Sequence, residues 1–394
     1  EWWPLARGFD RFYGVPQGGG FYFRPKQGRS IVLNNEELFT AESEMPEGWY
    51  STDAWTEYAI RFLDEAREAG KPYFLHLAHN APHFPLQAPT EDIARQKGNY
   101  AGGWEPVRQA RYERLLELGI LEKSWPLSPP DPADRSWNEL PDERRRKEEL
   151  GMEIYAAVMQ RLDVAIGRLT AALKERGELE NTLILFLSDN GASAEGGLHA
   201  TNPQAGEWGS AESHLFYGHC WANASDTPFR LFKKSSHEGG IATPLIAHWP
   251  QKMPHDSAGS LCHTPGHVID LMATCLEVAG AEYPTELEGR KLAPLAGRSL
   301  LPLLMGGKEP IHEAIFWEHE GNRAVRSGDW KLVARGAKGP WELYNMAEDR
   351  TELTDLAKQH PKRVAEMSAA WRTWAREAHV VPHPNGRFAG AERE

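Results

Sequence analysis

The 394-residue chain carries 44 Lys and Arg against 56 Asp and Glu, which gives a formal charge of −12, and 41% of its residues are hydrophobic. This length allows one large domain and a smaller one, and the negative charge disfavours nucleic acid as the main partner, because phosphate binding needs clustered cations. No stretch approaches the roughly 18 apolar residues of a membrane span, and Cys220, Cys262 and Cys275 form neither a Cys-x-x-Cys pair nor an even disulfide set.

The first half of the chain predicts alternating helices and strands. Helical spacing covers residues 52–69 and ends at Gly70, and the apolar residues 72–78 follow as a short strand. Residues 90–143 are rich in proline, tryptophan and charge, and we interpret them as an insertion with short helices. Apolar residues then recur at three- and four-residue steps over 154–173, which predicts a long amphipathic helix.

The second half repeats this alternation and then changes to a series of short strands. Residues 182–187 and 243–249 are typical of strands, and residues 268–279 of a helix. Helices that feed strands predict an α/β fold with a mostly parallel sheet sandwiched by helices. Four short strands and a closing helix within residues 311–394 predict a small C-terminal antiparallel sheet with a helix packed on it, so residues 1–310 form the larger part.

Asp189 and Asn190 directly follow the 182–187 strand. Because α/β folds bind ligands at the carboxyl ends of their strands, this carboxylate and amide predict a site for a hard cation, Ca²⁺ or Mg²⁺. Oxygen ligands without His or Cys argue against zinc. The same Asp-Asn-Gly sequence is equally typical of a turn after a strand, and the spacing alone leaves both interpretations open.

Three other side chains are candidates for contact with an anionic substrate. His83 lies in a proline-bounded loop, where an imidazole can bind an anion or pass a proton to a leaving group. Lys233 precedes a glycine pair and can hold an anion as a point charge. His319 lies in the C-terminal sheet and could line a substrate pocket. Ordinary exposed positions in loops and strand ends remain the alternative for each.

Taken in order, several segments resemble the sulfatase family of the alkaline-phosphatase superfamily. They extend over nearly the whole chain: Arg7-Gly8-Phe9-Asp10-Arg11-Phe12-Tyr13-Gly14, Ala81-Pro82-His83-Phe84-Pro85-Leu86, Leu187-Ser188-Asp189-Asn190-Gly191, Lys233 with Glu238-Gly239-Gly240, Ser327-Gly328-Asp329-Trp330-Lys331-Leu332 and Glu342-Leu343-Tyr344-Asn345. The resemblance implies that residues 1–310 are the C-terminal portion of a sulfatase catalytic domain.

The same resemblance implies roles for the candidate residues. Asp189 and Asn190 would complete an oxygen-only Ca²⁺ site, with Mg²⁺ less expected, while His83 and Lys233 would bind the sulfate group and help the leaving oxygen to depart. A cation, a lysine and a proton donor suit this reaction because charge concentrates on the sulfuryl oxygens and the leaving alcohol. His319 is retained as a further substrate-binding residue.

The chain also departs from the family pattern. Sulfatases use a formylglycine made from Cys or Ser in a Cys/Ser-x-Pro/Ala-x-Arg motif, and none of the three cysteines has that context. The early Asp-Asp pair and the Lys-x-His element are also absent. The chain therefore resembles an N-terminally truncated sulfatase, and the formylglycine and remaining calcium ligands are expected upstream of residue 1. We expect the 394 residues alone to be inactive and to bind calcium poorly.

The expected activity is that of a sulfuric-ester hydrolase of the arylsulfatase type, acting on a small sulfate ester or a sulfated saccharide. Two alternatives stay open: a phosphodiester or phosphonate monoester hydrolase on the same scaffold, and a non-catalytic pseudoenzyme that binds sulfate. A periplasmic or secreted location is typical of the family, but the sequence indicates neither compartment nor oligomeric state.

Overall fold

The computed structural model describes residues 3–204 and 206–381. The described residues of 1–108, 133–179 and 193–224 form one compact unit, and those of 109–132, 180–192 and 225–394 form a second. The end of the predicted C-terminal subdomain, residues 382–394, lies outside the described residues. Within the described part of the chain, no helix has both the length and the apolar character to cross a membrane.

The first unit contains a small antiparallel sheet and several helices. Strands β1 (Tyr13–Gly14), β2 (Ser30–Leu33) and β3 (Glu36–Thr40) pair in that order. The sequence did not predict this sheet, because its strands are short and lack a sustained alternation of apolar and polar residues. The helices are α1 (Ser51–Glu68), α2 (Thr90–Gln96), α3 (Trp104–Glu117), α4 (Asp142–Glu175) and α5 (His219–Ser225), of which α3 and α5 end in residues of the second unit.

Helix α4 is the long predicted helix, extended at its N-terminal end. It starts after Pro141 with Asp142 and Glu143 in its first turn, where carboxylates interact favourably with the helix dipole. Its apolar stripe is buried, and Gly177, at φ +71°, follows its end. Four consecutive cations, Arg144-Arg145-Arg146-Lys147, lie in the first turns of the helix. Lys147 pairs with Glu143 at 2.9 Å on the helix surface.

Helices α1 and α2 both pack against α4. Ala59 and Leu63 of α1 and Ile154 and Val158 of α4 are buried in this unit. Arg161 of α4 adds polar ties, because its guanidinium donates to Asp53 of α1 at 3.0 Å and to Asp92 of α2 at 2.9 Å. Apolar burial and a half-buried charge cluster together fix the helices.

The predicted strand over residues 72–78 forms no strand ladder among the described residues. Its side chains still alternate between half-buried and exposed, and Phe74 is 65% exposed. The apolar sequence therefore gives an extended backbone here, but an extended segment becomes a strand only when another strand pairs with it.

The second unit contains the other predicted α/β elements. Strand β4 (Ile184–Leu187) pairs antiparallel with β5 (Leu245–His248), with Leu187 opposite Leu245. Between the named strands of the described residues there is no parallel ladder. The other elements before residue 310 are α6 (Glu238–Ile241), α7 (Asp270–Ala279), the hairpin β6 (Glu286–Leu287) with β7 (Arg290–Lys291), and α8 (Leu301–Leu304).

The C-terminal antiparallel sheet forms as the sequence predicts. Its four strands are β8 (Ile315–His319), β9 (Asn322–Ser327), β10 (Trp330–Ala334) and β11 (Glu342–Asn345), in the order β11-β10-β9-β8. Gly328, at φ +55°, makes the tight turn between β9 and β10. Helix α9 (Pro361–Glu377) contacts β9 and β10, and the core between helix and sheet contains Val325, Leu332, Leu343, Met367, Trp371 and Ala375.

Candidate functional site

Backbone hydrogen bonds join the end of β4 to the loop that carries Lys233. We call residues 230–241 the Lys233 loop. The amide of Gly191 donates to the carbonyl of Gly240 at 3.1 Å, and the amide of Lys233 donates to the carbonyl of Ala192 at 3.0 Å. Asp189 and Asn190 therefore lie directly before a segment that is bonded to the Lys233 loop at two points. The structure brings together these three residues, which the sequence named separately.

Glycines permit this close approach of two backbones. A Cβ atom at Gly191 would lie 1.7 Å from the carbonyl oxygen of Gly239, and one at Gly239 would lie 2.2 Å from that of Leu231. Moving a side chain cannot make room for either Cβ atom, because the obstructing atoms belong to the backbone. The glycines after Asn190 and Glu238 are thus needed for packing between the segments, in addition to any contact with a ligand.

Asp226 is a third element of this junction. Both of its carboxyl oxygens accept the amide hydrogen of Ala192, at 2.9 and 3.1 Å. Burial raises the pKa of Asp226 to about 8, and the Ala192 amide and Arg111 only partly oppose that rise. The junction therefore contains a carboxyl group that is largely protonated at neutral pH. Sequence reasoning did not single out Asp226, because a lone Asp in a loop is an ordinary surface residue.

The donor types at the end of β4 fit a hard cation. Asp189 is exposed and Asn190 half-buried, and both offer side-chain oxygens, as Ca²⁺ and Mg²⁺ prefer. Two residues are nevertheless few for calcium, which takes about six to eight oxygen ligands. Among the described residues, no group of three or more His, Cys, Asp or Glu side chains has the geometry to hold a metal. Donor chemistry thus agrees with calcium, and the number of ligands is incomplete.

The turn between β8 and β9 contacts the Lys233 loop next to Lys233. The side-chain amide of Asn322 donates to the carbonyl of Lys234 at 2.9 Å and to that of His319 at 3.2 Å. Lys234, at φ +77°, also places its ammonium 3.7 Å from a carboxyl oxygen of Glu320. His319 is exposed at this turn. The structure therefore places His319 at the edge of the loop that carries Lys233.

His83 lies in the first unit, in an exposed turn held from several sides. Its amide donates to the Asn80 carbonyl at 2.8 Å, and its carbonyl accepts the Tyr22 hydroxyl at 2.8 Å. Its Nδ1 lies 2.6 Å from the Phe84 carbonyl, which can only accept, so Nδ1 carries a proton and Nε2 is the atom that gains or loses the second one. A fixed ring with a defined tautomer suits proton transfer at Nε2.

One Ser-x-Ala-x-Arg sequence does occur in the chain, at Ser368–Arg372 within α9. Ser368 is only 5% exposed, and its hydroxyl donates to the Ala365 carbonyl of the same helix at 3.1 Å. The neighbouring Trp371 belongs to the core under the C-terminal sheet. The position of this serine is that of a core residue in a helix, so the match to the formylglycine spacing does not supply a nucleophile.

Comparison with known proteins identifies the family. Residues 3–281 match the Sulfatase family, and residues 229–373 match the C-terminal region of N-sulphoglucosamine sulphohydrolase. The chain belongs to the sulfatase family. Its relatives include an uncharacterised sulfatase of Schizosaccharomyces pombe, 32% identical over 97% of this chain and 73% of the relative, and the arylsulfatase of Klebsiella aerogenes, 32% identical over 75% and 66%. The N-acetylgalactosamine-6-sulfatase of Canis lupus familiaris is 23% identical over 88% of this sulfatase and 51% of the relative.

Solved structures confirm the predicted fold class. The sulfatase is similar to the crystal structure of Ps i-CgsB, with a TM-score of 0.62 and 26% identity over 94% of this chain and 67% of that one. Ps i-CgsB has also been solved in complex with k-i-k-neocarrahexaose. The fold is therefore the α/β fold of sulfatases and alkaline phosphatase, with a small antiparallel C-terminal sheet.

Proposed function

We propose that this sulfatase hydrolyses sulfuric esters in the manner of an arylsulfatase, with a small aryl sulfate or a sulfated saccharide as its substrate. The observation that carries the proposal is the pair of backbone hydrogen bonds that joins the Lys233 loop to Gly191 and Ala192, directly after the candidate ligands Asp189 and Asn190. The names of the Klebsiella and canine relatives and the saccharide complex of Ps i-CgsB support the two substrate classes.

The roles of the chain's own residues follow from their charge and geometry. The ammonium of Lys233 would bind the sulfuryl oxygens, where negative charge develops as the S–O bond to the leaving group breaks. Nε2 of His83, in the doubly protonated ring, would give its proton to the leaving oxygen, which departs as an alcohol or phenol. His319, at the edge of the Lys233 loop, would contact the organic part of the substrate.

Two groups outside the described residues belong to the proposal. Calcium, held in part by Asp189 and Asn190, would supply positive charge beside the sulfate group. A formylglycine would supply the nucleophile. Among the described residues, Asp189 and Asn190 are two candidate ligands, fewer than calcium takes, and Ser368 is a core residue of α9. The 394-residue chain alone should then hydrolyse no sulfate ester, and measurable turnover by it would refute this part.

The decisive experiment uses the enzyme with its nucleophile and compares two neighbouring lysines. Lys233→Ala should lower kcat/KM for an aryl sulfate about 10²- to 10³-fold, because it removes charge stabilisation in the transition state. Lys234→Ala is the matched control and should change the rate only slightly, because Lys234 pairs with Glu320 at the surface. Equal rates for the Lys233 variant and the wild type would reject the assignment.

The same assay separates the proposed activity from its alternatives. Rates on an aryl sulfate and a matched aryl phosphodiester should favour the sulfate. A preference for the phosphodiester would point to a phosphoesterase on this scaffold, and binding of sulfate without turnover of either substrate would point to a pseudoenzyme. His83→Ala should lower turnover about 10²- to 10⁴-fold, with the smallest loss for substrates whose leaving group needs no proton.

A further inference from the structure

A buried cluster of four charged side chains fastens the Lys233 loop to the C-terminal sheet. Glu238, the first residue of α6 in that loop, places one carboxyl oxygen 2.6 Å from the ammonium of Lys331 in β10. The same ammonium lies 2.8 Å from a carboxyl oxygen of Glu352, and Arg350 contacts the second carboxyl oxygen of Glu238. We call these residues, Glu238, Lys331, Arg350 and Glu352, the buried charge cluster.

The buried charge cluster is balanced, and three of its four side chains are almost fully removed from solvent, while Arg350 is 19% exposed. It contains two cations and two carboxylates, and the side chains of Lys331, Glu352 and Glu238 are 0%, 0% and 4% exposed. Arg350 also lies over the ring of Phe229, 4.9 Å from its centroid. Burying ions costs free energy that an apolar cluster of the same size would not cost. Stability alone is therefore a weak reason for a charge cluster at this depth.

The geometry of the buried charge cluster is directed at the loop backbone. A carboxyl oxygen of Glu352 accepts the backbone amide of Glu238 at 2.9 Å, so Glu352 holds both the first amide of α6 and, through Lys331, the side chain of the same residue. Glu352 itself adopts φ +58°, a conformation that side-chain-bearing residues seldom take. The loop residue next to these contacts is Gly239, whose amide donates to the Arg230 carbonyl at 3.1 Å.

A second contact acts on the adjoining residue of the loop. His237 is fully buried, and its Nε2 lies 3.1 Å from a carboxyl oxygen of Glu342 in β11, which also accepts the Tyr344 hydroxyl at 2.6 Å. Arg230, at the start of the loop, donates to the Tyr344 hydroxyl at 3.2 Å. Consecutive loop residues are thus tied to two different strands of the same sheet, which fixes the orientation of the loop as well as its position.

We propose that Lys331 and Glu352 are positioning residues of the sulfate site: by holding Glu238 in the buried charge cluster, they keep the Lys233 loop in the conformation in which Lys233 meets the substrate. This inference rests on the proposed function of Lys233. It assigns the C-terminal sheet a part in the activity, as the rigid support of a loop whose other side is bonded to the segment after Asn190.

Hydrogen exchange of the 394-residue chain tests the positioning without any need for activity. Lys331→Met keeps the length of the side chain and removes its charge, and should speed exchange of the Lys233 and Gly239 amides about tenfold or more. Lys331→Arg should restore most of the protection. Leu332→Ala is the control, because Leu332 packs under α9 on the same strand; it should lower stability without a selective effect on the loop.

A charge-balanced double variant keeps the test valid if Lys331→Met unfolds the chain. Lys331→Met with Glu238→Gln leaves one cation, Arg350, and one anion, Glu352. The free energy of unfolding should therefore recover. The loop amides should still exchange fast, because the ion pair between Lys331 of β10 and Glu238 is lost. Wild-type exchange rates of the loop amides in this double variant would overturn the proposal. It would also fail if the loop amides exchanged as fast in Leu332→Ala as in Lys331→Met.

A double-mutant cycle in the active enzyme connects the cluster to Lys233. Lys331→Met should lower kcat/KM for an aryl sulfate about tenfold or more, and should add little to the loss already caused by Lys233→Ala, because both changes remove the same interaction. Fully additive losses would overturn the inference. Full activity of Lys233→Ala would instead reject the proposed function, and the exchange experiment would still report whether the cluster holds the loop.

Discussion

Two sheets of the second unit have similarly apolar strands and very different burial. In the C-terminal sheet, Leu332 and Leu343 are fully buried against α9. In the β4–β5 pair, Phe186, Leu245 and Ile246 are 41%, 39% and 60% exposed. The difference lies in the partners: four strands and a covering helix bury a complete face, whereas an isolated two-stranded ladder is marginal in water.

This contrast has a counterpart in the proposed site. The proposed metal ligands Asp189 and Asn190 follow β4, the strand with the exposed side chains, whereas the Lys233 loop is fastened to the fully packed C-terminal sheet. Burial lowers the pKa of Lys331, and the carboxylates of Glu352 and Glu342 only partly oppose that effect.

The largest expected effect compares the two sheets directly. Leu332→Ala should lower the free energy of unfolding by about 2–5 kcal/mol, because it leaves a cavity in a packed core. Ile246→Ala in β5 should change it by less than about 1 kcal/mol, since more than half of that side chain is already in contact with water. Urea denaturation of both variants measures the difference. Similar losses for both would show that β4–β5 is as well packed as the C-terminal sheet.

A smaller effect concerns Asp226, beside the end of β4. Because its pKa in the folded chain is about 8, and an unfolded Asp titrates near about 3.9, stability falls as pH rises from about 4 to about 8. The side chain in Asp226→Asn cannot ionise and keeps an acceptor for the Ala192 amide. The free energy of unfolding of this variant should therefore exceed that of the wild type by up to a few kcal/mol at pH 8 and equal it at pH 4. Thermal unfolding in calcium-free buffer at both pH values tests this; a gain that does not depend on pH would contradict it.

The smallest effect concerns Glu342 in the C-terminal sheet. Burial alone would raise the pKa of Glu342, but hydrogen bonds from His237 and Tyr344 outweigh it and hold the pKa at about 2. A depressed carboxyl pKa stabilises the fold above the unfolded value near about 4.3, and the contribution is lost as the pH falls towards 2. Glu342→Gln should therefore lower the free energy of unfolding by about 1–2 kcal/mol at pH 6, and the two proteins should be equally stable near pH 2. Urea denaturation of both proteins at several pH values tests this. A stability difference that is the same at every pH would exclude a contribution from the titration of Glu342.

Local pattern predicted the helices and the C-terminal sheet well. The expected helix over residues 52–69 is Ser51–Glu68, and the expected closing helix is Pro361–Glu377. These elements succeed because their hydrogen bonds are local or join strands that are neighbours in sequence. The strand expected at residues 72–78 pairs with no other strand among the described residues, because an apolar run specifies an extended backbone but not a pairing partner.

The candidate site was predictable only in part. Asp189, Asn190 and Lys233 were proposed from motifs, and the structure adds that Gly191 and Ala192, directly after Asn190, share backbone hydrogen bonds with the Lys233 loop. Asp226, Lys331 and Glu352 were not singled out as site residues, because nothing in a sequence says that a charged side chain will be buried. Their roles follow from partners 34 to 114 positions away, such as Ala192 and Glu238.

The sequence by itself determined the family, the helices and the residue types available for sulfate chemistry, because these depend on ordered motifs and local periodicity. Only the tertiary structure decided which side chains are buried, that Gly191 and the Lys233 loop share hydrogen bonds, and that Glu238 is held by the C-terminal sheet. The physical reason is that burial, pKa and close backbone approach depend on contacts between distant segments, and a linear pattern does not specify those contacts.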